Sequence, residues 1–142
     1  MVGAVRGDVG GTFPLLMTAL SGGMAVVEVL LAAEGIDVNQ VKRSGTFPLL
    51  MAAQDGHEAV VQLLLAAEGV DVNQEAHNGA FSLLLVALSG HAAVVEVLQA
   101  AEGADVNQVA PINSAFPLLM AALSGHGAVV RLYSAHAAHT LT

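Results

Sequence analysis

Cysteine and tryptophan are absent from this 142-residue chain, and basic residues nearly so: Arg6, Lys42, Arg43 and Arg131 stand against twelve carboxylates, for a formal charge of −8. Without cysteine there is no disulfide framework, no thiolate metal site and no cysteine nucleophile. The charge balance opposes the phosphate backbone that a nucleic-acid binder must neutralise, so nucleic acid is not an expected partner. Catalytic signatures are missing as well. There is no nucleophile elbow, phosphate loop or dinucleotide fingerprint; Gly7-Asp8-Val9-Gly10-Gly11 is glycine-rich, but no Lys-Ser or Lys-Thr follows it. Met1 to Arg6 lacks the apolar core and cleavage site of a secretory signal, which leaves the cytoplasm as the default compartment.

What is present is repetition. Phe13, Phe47 and Phe81 are spaced by 34 residues, as are Asp37-Val38-Asn39-Gln40, Asp71-Val72-Asn73-Gln74 and Asp105-Val106-Asn107-Gln108. A fixed period of this length marks a solenoid, whose units are too small to bury their own apolar faces and close them on neighbours. Phe116 falls one residue late; the extra residue lies in Val109-Ala110-Pro111-Ile112-Asn113-Ser114, a turn-rich stretch where an insertion costs little. Four units, at approximately 8–40, 41–74, 75–108 and 109–142, make a single domain over 1–142.

The second unit predicts two short helices. Pro48 suits a first helical turn, where its missing N–H would be unpaired anyway, and Gly56 ends that helix after roughly two turns. A second helix starts near His57 and puts Val60, Val61, Leu64 and Leu65 on one stripe, with Glu58 and Gln62 outside it, until Gly69 stops it. The segment from Asp71 to Gly79 then reverses the chain, the aspartates acting as turn formers through bonds to nearby backbone. Mean hydropathy is high, +0.68, and 106–130 carries no charged side chain. Each apolar run is nevertheless cut at the same phase by Asp55-Gly56-His57, Ser89-Gly90-His91 or Ser124-Gly125-His126, which favours helix pairs over a membrane span. The repetition of this Gly-His step gives its histidines a structural role. The tail pair His136 and His139 is too small a ligand set for zinc.

Gly45-x-x-Pro48-Leu49-x-x-Ala52-Ala53, Gly56-His57, Val60-Val61-x-Leu63-Leu64-Leu65 and Gly69-x-Asp71-Val72-Asn73 recur in register over almost the whole chain. This pattern resembles the ankyrin repeat, a turn plus two antiparallel helices with a Thr-Pro-Leu-His signature and a period near 33. The departures are regular. Phenylalanine replaces the family's threonine in all four units, and Leu16, Leu50, Leu84 and Leu119 replace its histidine, so the usual threonine–histidine bonds are absent. Thr12 and Thr46 are candidate helix caps in their place. Ala-Ala-Glu-Gly at the end of the second helix adds the residue that lengthens the period to 34, and Ser82 replaces proline in the third unit.

The resemblance implies an all-α solenoid with hairpin connections and a non-enzymatic role in binding protein, without cofactor, metal or small-molecule substrate. It implies that partners meet the first helices and the hairpin tips. On this chain those positions are Met17, Met51, Leu85 and Met120, then Leu20, Gln54, Leu88 and Leu123, with Lys42, Arg43, His77 and Asn78 at the tips. Such a methionine and leucine strip marks an association surface if exposed, and ordinary core if not. Neither end has the polar outer face of a capping repeat. Phe13, Leu16, Leu30, Leu132 and Tyr133 are therefore candidates for head-to-tail stacking of copies, the alternative being a structural protein that assembles into filaments.

Overall fold

The computed structural model describes residues 12–42, 45–111 and 113–141, without the side chains of 12, 13, 20 and 137–141. Eight helices occur among the described residues: α1 Thr12–Ser21, α2 Met24–Leu31, α3 Pro48–Gln54, α4 Glu58–Leu65, α5 Ser82–Ser89, α6 Ala92–Ala100, α7 Pro117–Leu123 and α8 Gly127–Leu141. They form two layers. The odd-numbered helices pack side by side in one row and the even-numbered helices in the other, each pair closing across the gap between rows. No described helix is long and apolar enough to cross a membrane; the hydropathic stretch 106–130 is broken between α7 and α8 by Ser124-Gly125-His126.

Local chemistry accounts for the pairs. Proline opens α3 and α7, preceded by a phenylalanine in extended conformation. The cap position of α3 is thus Phe47, which forms no side-chain cap bond, and Thr46 sits one residue too early to fill that role. Gly90, at φ 82°, ends α5 and lets its N–H reach the Val86 carbonyl at 2.8 Å. On α4 the stripe Val60, Val61 and Leu64 is buried while Glu58 and Gln62 are exposed. Full burial of each such side chain contributes about 1.5–3 kcal/mol, enough to hold helices of two turns that would not persist alone. Helix α4 ends at Leu65, earlier than Gly69; Ala66, Ala67 and Glu68 between them form a turn that Gly69 closes at φ 83°.

Hairpins join the units. The N–H of Lys42 donates to the Thr46 carbonyl at 2.8 Å, Ala76 to Ala80 at 2.8 Å and Ala110 to Ala115 at 2.7 Å. The last of these spans one more residue, and Ser114 takes it up in a left-handed conformation, φ 57°.

Two ladders tie one unit to the next. In the first, Asn39 donates its amide to the Gly69 carbonyl at 2.6 Å and accepts from the Asp71 N–H at 2.8 Å, and Asn73 does the same with Gly103 at 2.8 Å and Asp105 at 2.7 Å. Asp37, Asp71 and Asp105 hold the asparagine backbones, each accepting at 3.0 Å from the N–H two residues on. In the second ladder, His91 Nε2 donates to the Gln54 carbonyl at 3.1 Å and His126 Nε2 to the Leu88 carbonyl at 2.9 Å. The rings of His57, His91 and His126 lie over Gly22, Gly56 and Gly90 so closely that a β-carbon on those glycines would come within 2.8, 2.8 and 2.6 Å of Nδ1.

Candidate functional site

The odd-numbered row meets the hairpin tips along an open groove of about 320 Å³. Met51 and Gln54 of α3 and Leu85 of α5 line it from the helices, and Thr46, His77 and Asn78 from the tips. Equivalent helices set side by side put equivalent positions in line, which is why residues 34 apart share one surface. Five of the positions picked from the sequence, Met51, Gln54, Leu85, His77 and Asn78, therefore share one hollow.

Burial grades across this surface. Met51, Leu85 and Met120 are half-buried, their stems packed on the core, while Met17 is 48 % exposed. The next position along each helix stands further out: Gln54 and Leu88 are exposed, and Leu123 is 73 % exposed. At the tips, Asn78 has a structural duty, its Oδ1 accepting from the Ala80 N–H at 3.0 Å. His77 is exposed at its tip and packs against the hairpin before it, where a β-carbon on Gly45 would come within 3.2 Å of it. Lys42 is half-buried. The side chain of Leu20 and all of Arg43 lie outside the described residues, as does the side chain of Phe13.

A larger hollow, about 590 Å³, lies between α4 and α6 on the other row and includes Gln62, Glu68 and Glu102. It lies between the exit turns of two second helices and gathers none of the positions above.

The candidates for end stacking are placed differently from their expectation. Leu16 and Tyr133 are buried within the chain, and Leu30 and Leu132 are half-buried against the core. The reason is the direction of the stack. Position 16 has equivalents Leu50 and Leu84, both buried, and Leu119, which is exposed, so it faces forward toward the next unit. Position 133 is equivalent to Leu64 and Leu98, fully buried, and to Leu30 in the first unit, which is less covered; it faces backward. Leu16 and Tyr133 each face inward. The exposed end residues are Val26 (50 %) and Val29 on α2, and Phe116 (38 %), Leu118, Leu119 and Ala122 at the other end. Their internal equivalents Val60, Phe47 and Phe81 are each 1 % exposed.

A family model of ankyrin repeats matches residues 15–110 in three copies. Among curated proteins, none matches the chain.

Proposed function

Because the chain belongs to the ankyrin repeat family, whose members are in general protein–protein interaction modules, we propose that it is a non-enzymatic scaffold that holds a partner protein in the groove between the first helices and the hairpin tips. The observation that carries this reading is the convergence of Met51, Leu85, Gln54 and His77 on one open surface. Half-buried methionine and leucine present apolar area at little cost, since their stems are already ordered against the core, and methionine adapts to varied partners. A partner segment would set an apolar side chain between Met51 and Leu85, with the Gln54 amide available for its backbone.

Affinity purification from the native source with wild-type chain and with Met51→Glu/Leu85→Glu tests this. The double variant should keep its helical circular-dichroism signal and lose the proteins that wild type recovers. Recovery of the same proteins by a folded double variant would place binding elsewhere.

A further inference from the structure

Charge is unevenly shared between the two rows. Helices α1, α3, α5 and α7 carry no charged side chain, and the groove beside them has none in its lining. The even-numbered row carries Glu28, Glu58 and Glu96, and its exit turns carry Glu34, Glu68 and Glu102, all exposed; Arg131 is the one arginine or lysine on that row among the described residues. Those turns frame the larger hollow. Half-buried Leu65, Val70 and Val97 and the exposed Ala100 make its apolar wall, and Glu68 from one turn and Glu102 from the next complete the lining. A second hollow of about 450 Å³ follows one unit along, with Glu96 and His136 in its lining. Ala100 belongs to both, so the two run together as one trough.

The carboxylates belong to the Ala-Ala-Glu-Gly step that lengthens each unit to 34 residues, so the hollow goes with this chain's departure from the shorter period near 33. The turns are held before any partner arrives. Asn39 clamps the Gly69 carbonyl and the Asp71 N–H, and Asn73 clamps the Gly103 carbonyl and the Asp105 N–H. Glu68 and Glu102 make neither a hydrogen bond nor an ion pair among the described residues. Gly69 and Gly103 have nothing within 4 Å of a β-carbon built on them, which lets another chain come close.

We propose that the hollow between α4 and α6 seats an arginine side chain from a basic segment of a partner protein. Neighbouring packed helices lie about 8–10 Å apart, so equivalent carboxylates one unit apart stand at about that separation. A guanidinium spans it by donating at about 2.8 Å on either side. The arginine stem lies on Leu65, Val70 and Val97 while its head stays at the carboxylates. Arginine fits better than lysine, because its planar fork serves two acceptors at once and it is more weakly hydrated than an ammonium. Two carboxylates so far apart are too few to enclose a metal ion, which needs several oxygen ligands at about 2–2.6 Å. The groove takes no part in this, so the two proposals fail separately.

Fluorescence anisotropy of a labelled peptide of arginine, alanine and serine, titrated with the full chain at about 0.15 M salt, where exposed charges beyond about 8 Å are largely screened, tests the proposal. Wild type should bind, and Glu68→Gln/Glu102→Gln should bind about tenfold more weakly, the share of one charge-assisted hydrogen bond. Asp55→Asn/Glu58→Gln removes the same charge away from the hollow and should bind as wild type does, as should Met51→Glu/Leu85→Glu. The same peptide with lysine in place of arginine should bind several-fold more weakly. In amide NMR spectra the arginine peptide should shift the Gly69 and Gly103 resonances and leave those of Gly45 and Gly79, at the hairpin tips, in place. The four substituted carboxylates are exposed, so these variants should keep their helical signal. Absence of binding to wild type, equal weakening in the two carboxylate variants, equal affinity for the lysine peptide, or shifts confined to Gly45 and Gly79 would each overturn the proposal.

Discussion

The imidazole of His126 lies over Gly90, so close that a β-carbon there would be 2.6 Å from Nδ1, while Nε2 of the same ring donates to the Leu88 carbonyl at 2.9 Å. One side chain thus covers a glycine and bonds a helix end in the preceding unit. Gly90 is excluded from carrying a side chain twice over, by that contact and by its φ of 82°.

Gly125 has nearly the same backbone conformation, φ 77°, with open space above it. Gly125→Ala should therefore cost only the left-handed backbone term, about 1–2 kcal/mol. Gly90→Ala should cost that and a further amount of about 1–2 kcal/mol for displacing the ring and its bond. Urea unfolding of the two variants measures the difference; equal midpoints would mean that His126 moves aside freely.

The asparagine ladder has the same asymmetry. Asn73 bridges Gly103 and Asp105 in the next unit, whereas the Asn107 side chain makes no such bridge among the described residues. Asn73→Ala is expected to lose about 1–2 kcal/mol, and Asn107→Ala to stay within about 0.5 kcal/mol of wild type. Thermal unfolding followed by circular dichroism would reveal whether the two variants differ.

Phenylalanine at one repeat position faces two environments. Phe81 is 1 % exposed and Phe116 38 %. Phe81→Ala should lower stability by about 3–5 kcal/mol, the usual range for a buried phenylalanine. Phe116→Ala should lose less than half as much, since its ring is already partly in water. A similar loss at both positions in chemical denaturation would show that the forward face is covered in solution.

Tyr133 is buried, its Oη has no hydrogen-bond partner, and burial raises its phenol above the usual tyrosine value of about 10. The unfolded chain loses this proton near pH 10 while the folded chain keeps it, so ionisation favours unfolding and stability falls as pH rises past 10. Tyr133→Phe should abolish that part of the alkaline decline and be as stable as wild type, or more so, near neutrality. As the chain has one tyrosine and no tryptophan, phenolate absorbance reports this residue alone. Titration of the folded protein at an ordinary tyrosine value would contradict the burial.

Much of the layout of the candidate surface was legible because repetition projects sequence position onto space. Met51 and Leu85, being 34 apart on equivalent helices, had to lie on one surface. The depth of that surface was not legible. Methionine and leucine at helical spacing read alike as core or as contact, and only the packing of α3 against α5 left them half-covered beside exposed Gln54 and Leu88. The role of His91 and His126 was half legible: their recurrence marked structure, but their partners Gln54 and Leu88 lie 37 and 38 residues away and no local pattern names them.

By itself the sequence determined the period, the paired helices and the turns between them, since these follow from short-range chemistry: a proline that starts a helix, glycines that end one, an aspartate that holds a turn. Tertiary structure alone decided polarity, that is, which side of each unit looks toward its predecessor and which toward its successor. Leu16 faces forward and Tyr133 backward, so both are covered, while Val26 and Phe116 are left open. An apolar side chain encodes that it prefers cover but not from which direction the cover comes, and that direction exists only once the units are stacked.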